Sequence, residues 1–252
     1  MSTFFNSSNL SFRYEPYPIG HLAPMVEPAQ YAEMIANWPS QELFEFLPRL
    51  GSKYSLSDKC HPAAYRTFVR DTPIWARFDR WIKGPEFVAE IMQTLHDHHI
   101  DLGYRPGVSW AKQTAKNIMA VLRGRSSHRG ARYTATWEFQ MMPAQGGHIL
   151  PHSDTPSKVV TMTLAILGEH EWNPAWGGGI DINRARDRRF AYNHLNRQAG
   201  FDDMEVVDTI EFAPNTGVIF IKTFNSWHSV RPMHASEPGP MRRNLIINIK
   251  TD

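Results

Sequence analysis

The hydrophobic positions follow one period in the first part of the chain and another in the second. In the first third, apolar residues such as Tyr31, Met34 and Trp38 recur at the spacing of one helical face. In the second half they form short β-branched or aromatic runs, separated by turns rich in Gly, Pro and Asn. This change predicts a single domain in which residues 1–130 are mostly helical support and residues 131–252 form an antiparallel β core.

The same pattern places individual elements. Helical spacing predicts one helix that Pro39 ends and two more on either side of Gly84 and Pro85. An arginine-rich segment, residues 183–201, has no strand pattern, and we interpret it as an insertion between strands. Six strands are predicted in the second part, at residues 132–142, 159–167, 180–182, 206–212, 218–224 and 245–249. Together these elements predict a mainly β domain with flanking helices.

The composition is that of an ordinary globular protein. The chain has 252 residues, of which 42% are hydrophobic and 21% are charged, and this suits one domain with one core. The formal net charge of +2 provides no global attraction for a nucleic acid or for a membrane surface. We therefore favour neither as a partner.

Cysteine usage and the N-terminal sequence bear on location. Cys60 is the sole cysteine of the chain, so neither an internal disulfide nor a cysteine-rich zinc site can form. The N-terminus lacks the basic start and the apolar run of a signal peptide, and no apolar stretch is long enough to span a bilayer. These features predict a cytoplasmic protein.

Three side chains have the chemistry of a metal site. His152 and Asp154 are two residues apart, so on an extended backbone both side chains project to the same side. His228 follows an apolar run much later in the chain, where an antiparallel barrel could bring it beside the first two. Two histidines and one carboxylate on one face of an octahedron leave three positions open, which is the arrangement of Fe(II) oxygenases. Zinc accepts the same ligands and would hydrolyse a substrate instead.

An arginine beyond His228 distinguishes these two interpretations. The co-substrate 2-oxoglutarate has a distal carboxylate that needs a fixed cation inside the barrel, and Arg242 and Arg243 are both candidates. Adjacent residues of a strand face opposite sides, so only one of them can reach it. We favour Arg242, because it shares a face with polar Asn244 and Asn248, whereas Arg243 shares a face with apolar residues. Asn248 could bond the co-substrate or a water, or be satisfied by backbone.

The sequence resembles the 2-oxoglutarate/Fe(II)-dependent dioxygenase superfamily, in particular its prolyl-4-hydroxylase-like branch. The similarity extends over residues 134–250 and rests on the motifs HSD, WGGGIDI, PNTGVIF, WHSV and RRNLIINI. It implies a double-stranded β-helix, the jelly-roll or cupin-like barrel. It also implies Fe(II) at His152, Asp154 and His228, 2-oxoglutarate at Arg242 and Gln140, and O₂ as the oxidant.

The resemblance further implies an activity. Enzymes of this kind hydroxylate an unactivated C–H bond and release succinate and CO₂. The expected substrate is a small or anionic metabolite, an amino acid or peptidyl residue, or a saccharide. The presence of Asp154 disfavours halogenation, for which the superfamily replaces this ligand by a small residue. The alternatives are a zinc-dependent hydrolase and a non-catalytic cupin-like sensor on the same barrel.

Candidate substrate contacts lie near the metal motif and in a basic segment. Thr155 and Lys158 follow the motif at the expected mouth of the barrel, and Arg125 belongs to the arginine-bearing residues 123–130. Three arginines within that segment could attract an anion, although a solvated loop has the same composition. His148 precedes the motif and is interpreted as a rim residue. The sequence leaves the oligomeric state open.

Overall fold

A computed structural model describes residues 4–104, 118–119, 122 and 133–251 of the chain. Four helices lie within the first of these ranges, at Pro28–Ala36 (α1), Pro62–Asp71 (α2), Pro73–Ile82 (α3) and Pro85–Asp97 (α4). Each begins with proline, whose fixed φ and missing N–H suit the first helical position. The hydrophobic spacing predicted α1, α3 and α4, whereas α2 was not predicted. No helix of the described residues is long and apolar enough to cross a membrane.

Helix α3 shows how the helical part packs on the sheet. Its buried face includes Trp75 and Phe78, both fully inaccessible to solvent. The ring of Trp75 lies 4.8 Å from that of Phe139, and the ring of Phe78 lies 5.0 Å from that of Trp137. Such edge-to-face contacts add to the burial of large apolar side chains. The helices therefore cover the outer face of the strand that contains Trp137 and Phe139, which leaves its other face to the barrel interior.

Within the described residues, twelve strands form two antiparallel sheets. Their bounds are Ser11–Arg13 (β1), Ile19–Leu22 (β2), Glu45–Leu47 (β3), Lys53–Ser57 (β4), Tyr133–Pro143 (β5), Ile149–His152 (β6), Lys158–Ala165 (β7), Ile180–Ala185 (β8), Met204–Ile210 (β9), Gly217–Ile221 (β10), His228–Val230 (β11) and Met241–Thr251 (β12). The large sheet has the order β1-β2-β10-β7-β12-β5-β4-β3, and the small sheet has the order β6-β11-β8-β9.

Strands β5 to β12 form the jelly roll. The chain passes back and forth between the sheets, so that β5, β7, β10 and β12 belong to the large sheet and β6, β8, β9 and β11 to the small one. This is the topology of a double-stranded β-helix, and it confirms the predicted fold class. All six predicted strands are present with shifted ends, whereas the short β6 and β11 were not predicted as strands.

Residues 4–104 contain strands as well as helices. Strands β1 to β4 lie there and join the large sheet at both of its edges, where β2 pairs with β10 and β4 pairs with β5. These strands have three to five residues each, too few for an alternating pattern to be visible in the sequence. Their pairing with the barrel, rather than their own composition, determines their structure.

The strand directions define two ends of the barrel. The connections β6–β7, β8–β9 and β10–β11 lie at one end, together with His152, the last residue of β6, and His228, the first residue of β11. We call this the metal end and the opposite one the far end. Strand β12 begins at the far end with Met241 and Arg242 and runs the length of the barrel, because Thr251 pairs with the first residue of β5.

Candidate metal centre

Two short neighbouring strands bring the predicted ligands together. His152 and His228 are direct partners across the antiparallel pair β6–β11. Asp154 follows β6 with φ of +65°, a left-handed conformation that Asp tolerates better than most residues. Its Oδ1 lies 4.0 Å from His152 Nε2 and its Oδ2 lies 3.8 Å from His228 Nε2. The three donor atoms are all within 4.8 Å of one another, so one cation could contact all three.

Backbone hydrogen bonds orient both imidazoles. His152 Nδ1 lies 3.0 Å from the carbonyl oxygen of Leu150, and His228 Nδ1 lies 3.0 Å from that of Ser226. A carbonyl only accepts, so each Nδ1 has the proton and donates it, and each Nε2 keeps its lone pair. Phe220 stacks on His228 at a ring distance of 4.2 Å and restricts the plane of that ring. Both rings therefore present an unprotonated nitrogen towards Asp154.

Local charges keep the metal-binding groups in their ligand states. Burial lowers the pKa of His152 to about 3, and the pKa of His228 is also lowered, chiefly by burial. Burial opposes ionisation of Asp154, but Lys158 and the two imidazoles outweigh it and hold the pKa of that carboxyl below its usual range. Two neutral imidazoles and a carboxylate are the protonation states that a divalent cation requires.

Asp154 is held by two donors. Lys158 Nζ donates to its Oδ1 at 3.0 Å, and Thr161 Oγ1 donates to its Oδ2 at 2.9 Å. Thr161 Oγ1 is also 3.1 Å from the side-chain oxygen of Asn248. The hydroxyl has one proton and the charged carboxylate is the stronger acceptor, so we assign the Asn248 amide with its NH₂ towards Thr161. The carboxylate is then fixed through β7 and β12.

A cavity of about 210 Å³ extends from this triad into the barrel. It reaches Arg242, Asn244 and Thr163 towards the far end. Apolar side chains of both sheets form part of its lining, among them Ile180, Phe220, Val230 and Ile246. Polar and charged residues form another part, which we call the outer wall: Arg49, Lys53, Glu138, Gln140, His148, Lys158 and Gln198. The cavity therefore joins a metal-ligand set to a polar far end through an apolar passage.

Arg242 is a buried cation at the far end of this cavity. Its side chain is 2% exposed, and burial lowers its pKa to about 9. Its Nε donates to the carbonyl oxygen of Gly178 at 2.6 Å, and its guanidinium lies 4.6 Å from the ring centre of Phe212. Asn244 can accept from it once its side-chain amide is turned. Among residues 4–104 and 133–251, no carboxylate forms an ion pair with Arg242.

Arg243 lies on the opposite face of β12. It forms an ion pair with Glu171, and its guanidinium lies 5.9 Å from the ring centre of Trp38, outside the barrel. Side chains alternate between the two faces of β12 as predicted. Arg242 and Asn244 line the cavity, whereas the opposite face belongs to the apolar core, with Leu245, Ile247 and Ile249. The structure thus places Arg242, and not Arg243, in the cavity with the triad.

The remaining predicted residues are at several distances from the triad. Gln140 and Lys158 line the cavity, and Asn248 is two hydrogen bonds from Asp154, through Thr161. Thr155 is exposed at the metal end, and it does not line the cavity. Arg125 and the basic segment around it lie outside the described residues. His148 also lines the cavity.

Some residues around the site are brought together by strand pairing and were not predicted from the sequence. Thr161 has no motif, and its contact with Asn248 follows from their pairing across β7 and β12. The ion pair between Lys53 and Glu138, 2.8 Å long, forms because unpredicted β4 joins β5. Gly178 has φ of +86°, which favours glycine, and its carbonyl accepts from Arg242, a contact that no sequence pattern indicates.

Among known proteins, the similarities found are to solved structures. No protein-family model and no curated protein matches it. It is similar to a prolyl-4-hydroxylase from Pseudomonas putida, with a TM-score of 0.46, 14% identity, and coverage of 90% of this chain and 89% of that one. It is also similar to a prolyl hydroxylase from Trichoplax adhaerens in complex with a hypoxia inducible factor peptide fragment (TM-score 0.44, 12% identity, coverage 92% and 83%).

A third similar structure is an oxidoreductase of the 2OG-Fe(II) oxygenase family from Burkholderia pseudomallei. Its TM-score is 0.41 at 13% identity, with coverage of 89% of this chain and 79% of that one.

Proposed function

We propose that this protein is an Fe(II)- and 2-oxoglutarate-dependent oxygenase. Its iron ligands are His152, Asp154 and His228, and Arg242 binds the distal carboxylate of the co-substrate. One observation carries the proposal: a single cavity connects the three ligands to a buried guanidinium that no described carboxylate neutralises. A hydrolase that uses zinc and water would have no use for such a cation at the far end.

The donor set fits iron. Three protein ligands on one face leave the remaining positions for a co-substrate and for oxygen, and imidazole with carboxylate suits non-haem Fe(II). Both Nδ1–H groups are bonded to backbone carbonyls, which is the outer arrangement that fixes metal-binding histidines. Bound iron would supply the activation of O₂, coupled to the conversion of 2-oxoglutarate to succinate and CO₂.

The residues of the chain have binding and orienting tasks. Beyond the Nε–H that Gly178 receives, Arg242 has two terminal NH₂ groups, enough for a carboxylate. Gln140 is positioned to donate to the co-substrate from β5, and Asn248 positions Thr161 and with it Asp154. The apolar wall formed by Phe220, Val230 and Ile246 excludes water from the passage.

Hydroxylation of an unactivated C–H bond is the reaction proposed for this site. Its substrate would be a small molecule or a single residue that enters from the outer wall, with residues 131–252 as the catalytic core. We place Lys158 among the substrate-facing residues because it lines the cavity beside Asp154. Thr155 and Arg125 remain proposals of the same kind, made on their positions in the sequence.

Succinate formation tests the proposal without knowledge of the substrate. Purified protein is incubated with Fe(II), 2-oxoglutarate and air, and compared with His152→Ala and with the exposed-histidine control His194→Ala. Iron-dependent succinate from wild type and the control, lost in His152→Ala and with Zn(II), is the expected result. If succinate is absent and calorimetry shows no binding of 2-oxoglutarate to the metal-loaded protein, the oxygenase proposal is wrong and the hydrolase and sensor alternatives take its place.

A further inference from the structure

Two lysines face each other at the metal end of the barrel. Lys158 begins β7 and Lys250 lies near the end of β12, and they are paired residues across these strands. Like charges at directly opposed positions of a sheet repel each other. The register of the two strands shifts between Ile249 and Lys250, so the two lysines pair where the regular ladder is interrupted.

The two lysines differ in their partners. Lys158 donates to Asp154 at 3.0 Å, whereas no ion pair to Lys250 exists among the residues that the structure describes. The negative charge of Glu138 acts on Lys250, but this carboxylate already accepts from Lys53 at 2.8 Å and from Ser55 at 3.0 Å. Lys250 is thus a half-buried ammonium with a like charge opposite it and a committed carboxylate nearby.

The pKa of Lys250 agrees with this geometry. Burial lowers it first, the charges of Lys59 and Lys158 lower it further, and Glu138 opposes them. A cation that is desolvated and repelled in this way is stabilised by an incoming anion. Groups perturbed in this way cluster at functional sites.

The position of the pair connects it with the cavity. Lys158 and Glu138 both line the cavity that holds the metal ligands, and Lys250 is the pairing partner of Lys158 across β7 and β12. Along β12, alternation puts Lys250 on the same side as Arg242 and Asn248, although Arg242 is at the far end and Lys250 at the mouth. An anion bound at Lys250 would therefore lie on the opposite side of the metal ligands from the co-substrate site.

We propose that Lys250, supported by Lys158, binds a carboxylate or phosphate group of the substrate at the mouth of the cavity. This inference rests on the proposed oxygenase function and narrows its substrate to oxyanion-bearing small molecules: organic acids, acidic amino acids or phosphate esters. Neutral saccharides are excluded. Lys250 is a specificity-determining residue in this assignment, because it contacts the substrate away from the bond that is oxidised.

Amine footprinting tests anion binding directly. Metal-free protein is acylated with a limiting reagent in chloride, acetate or inorganic phosphate at equal ionic strength, and the acylation of each lysine is followed by mass spectrometry. Acetate or phosphate is expected to slow acylation of Lys250 several-fold and to leave the exposed Lys83 unchanged. Preference for one of the two anions identifies a carboxylate or a phosphate substrate. Equal acylation of Lys250 in all three salts would overturn the inference.

A substrate panel tests the functional consequence. Matched pairs, such as an acid with its amide and a sugar phosphate with its sugar, are screened for stimulation of succinate formation. Stimulation by anionic members is expected, with KM raised about 10-fold or more in Lys250→Gln, kcat little changed, and recovery in Lys250→Arg. Equal stimulation by the neutral members would contradict the inference, and if no compound stimulates turnover, the footprint decides.

Two controls separate the possible failures. Arg70→Gln removes the same charge from an exposed position on α2 and should leave KM unchanged. Lys250→Gln relieves the repulsion with Lys158, so its unfolding midpoint should equal or exceed that of wild type, and a structural defect would lower it instead. Succinate formed without added substrate, in wild type and in Lys250→Gln alike, shows that the oxygenase proposal stands even if the anion inference fails.

Discussion

Substitution of Arg242 by methionine should stabilise the ligand-free protein while it removes the co-substrate site. Arg242 is almost fully buried, and the only acceptors it has among the described residues are the neutral Gly178 carbonyl and, after a turn of its amide, Asn244. Methionine keeps much of the length and apolar volume of the side chain and has no charge to desolvate. The substitution therefore separates the electrostatic cost of Arg242 from its packing.

The magnitude follows from the shifted pKa. Burial moves the pKa of Arg242 from 12.5 to about 9, a difference that corresponds to about 5 kcal/mol of disfavoured charge in the folded protein. Loss of the donor leaves the Gly178 carbonyl unpaired, at a cost of roughly 1–3 kcal/mol. Loss of the cation–π contact with Phe212 costs roughly a further 1 kcal/mol. The net expectation is a ligand-free protein more stable by about 1–3 kcal/mol.

The ligand response should change in the opposite direction. With Mn(II) in place of Fe(II), 2-oxoglutarate at 100 times its Kd stabilises wild type by about 2.7 kcal/mol. Removal of a bidentate charge-assisted contact raises Kd about 100-fold, and the same concentration then contributes only about 0.4 kcal/mol. Denaturant unfolding with and without 2-oxoglutarate measures both effects on the same samples.

Arg243→Met is the matched control, because it makes the same chemical change on the outer face of β12, where Arg243 pairs with Glu171. It should retain the full 2-oxoglutarate response and gain no stability. The reasoning is refuted if Arg242→Met keeps the response. It is also refuted if Arg242→Met is less stable than wild type without ligand, since Arg242 would then be a structural cation that the barrel needs.

Three further predictions concern the residues around the ligands. Burial lowers the pKa of His152 to about 3, so the metal-free protein should lose stability as pH falls from 6.5 towards 3. This group contributes at most about 1.4 kcal/mol per pH unit. In denaturant titrations, His152→Ala should reduce the dependence of the unfolding free energy on pH. Thr161→Val should weaken Co(II) binding about 10-fold in absorbance titrations, since Asp154 loses a donor. Gly178 has φ of +86°, and a Cβ added there would lie 2.8 Å from Trp172, so Gly178→Ala should lower stability by roughly 1–3 kcal/mol in thermal unfolding. It should also raise the Kd of 2-oxoglutarate. An unchanged Kd would show that the Gly178 carbonyl does not help to position Arg242 for the co-substrate.

How far the site could be predicted depends on how local its geometry is. His152 and Asp154 are two residues apart, so strand alternation suffices to bring their side chains together. Arg242 could be chosen over Arg243 by the same alternation. Thr161 and Asn248 have no such local relation, because their contact depends on the register between β7 and β12. A shift of one residue in that register would turn one of them away from Asp154.

The fold shows the same division. The β5–β12 strands have enough residues, or enough neighbouring turns, for their hydrophobic pattern to be visible, and most were predicted. Strands β1 to β4 are short edge segments whose hydrogen bonds are supplied by strands already present in the barrel. Their sequences do not need strong strand propensity, so propensity could not reveal them. Because β4 was not predicted, its residue Lys53 could not be predicted to line the outer wall of the cavity.

Two basic residues of β12 favour the binding of anions on both sides of the metal ligands. Arg242 at the far end and Lys250 at the mouth are each desolvated cations without a described acidic partner, and the metal ligands lie between them. Each cation destabilises the empty protein and is relieved only by an anion. The first anion to bind lowers the positive potential for the second, while the metal adds positive charge that favours both. Binding of the metal, the co-substrate and an anionic substrate should therefore be coupled. The salt dependence of anion affinity should be strongest for the metal-loaded protein to which neither anion has yet bound.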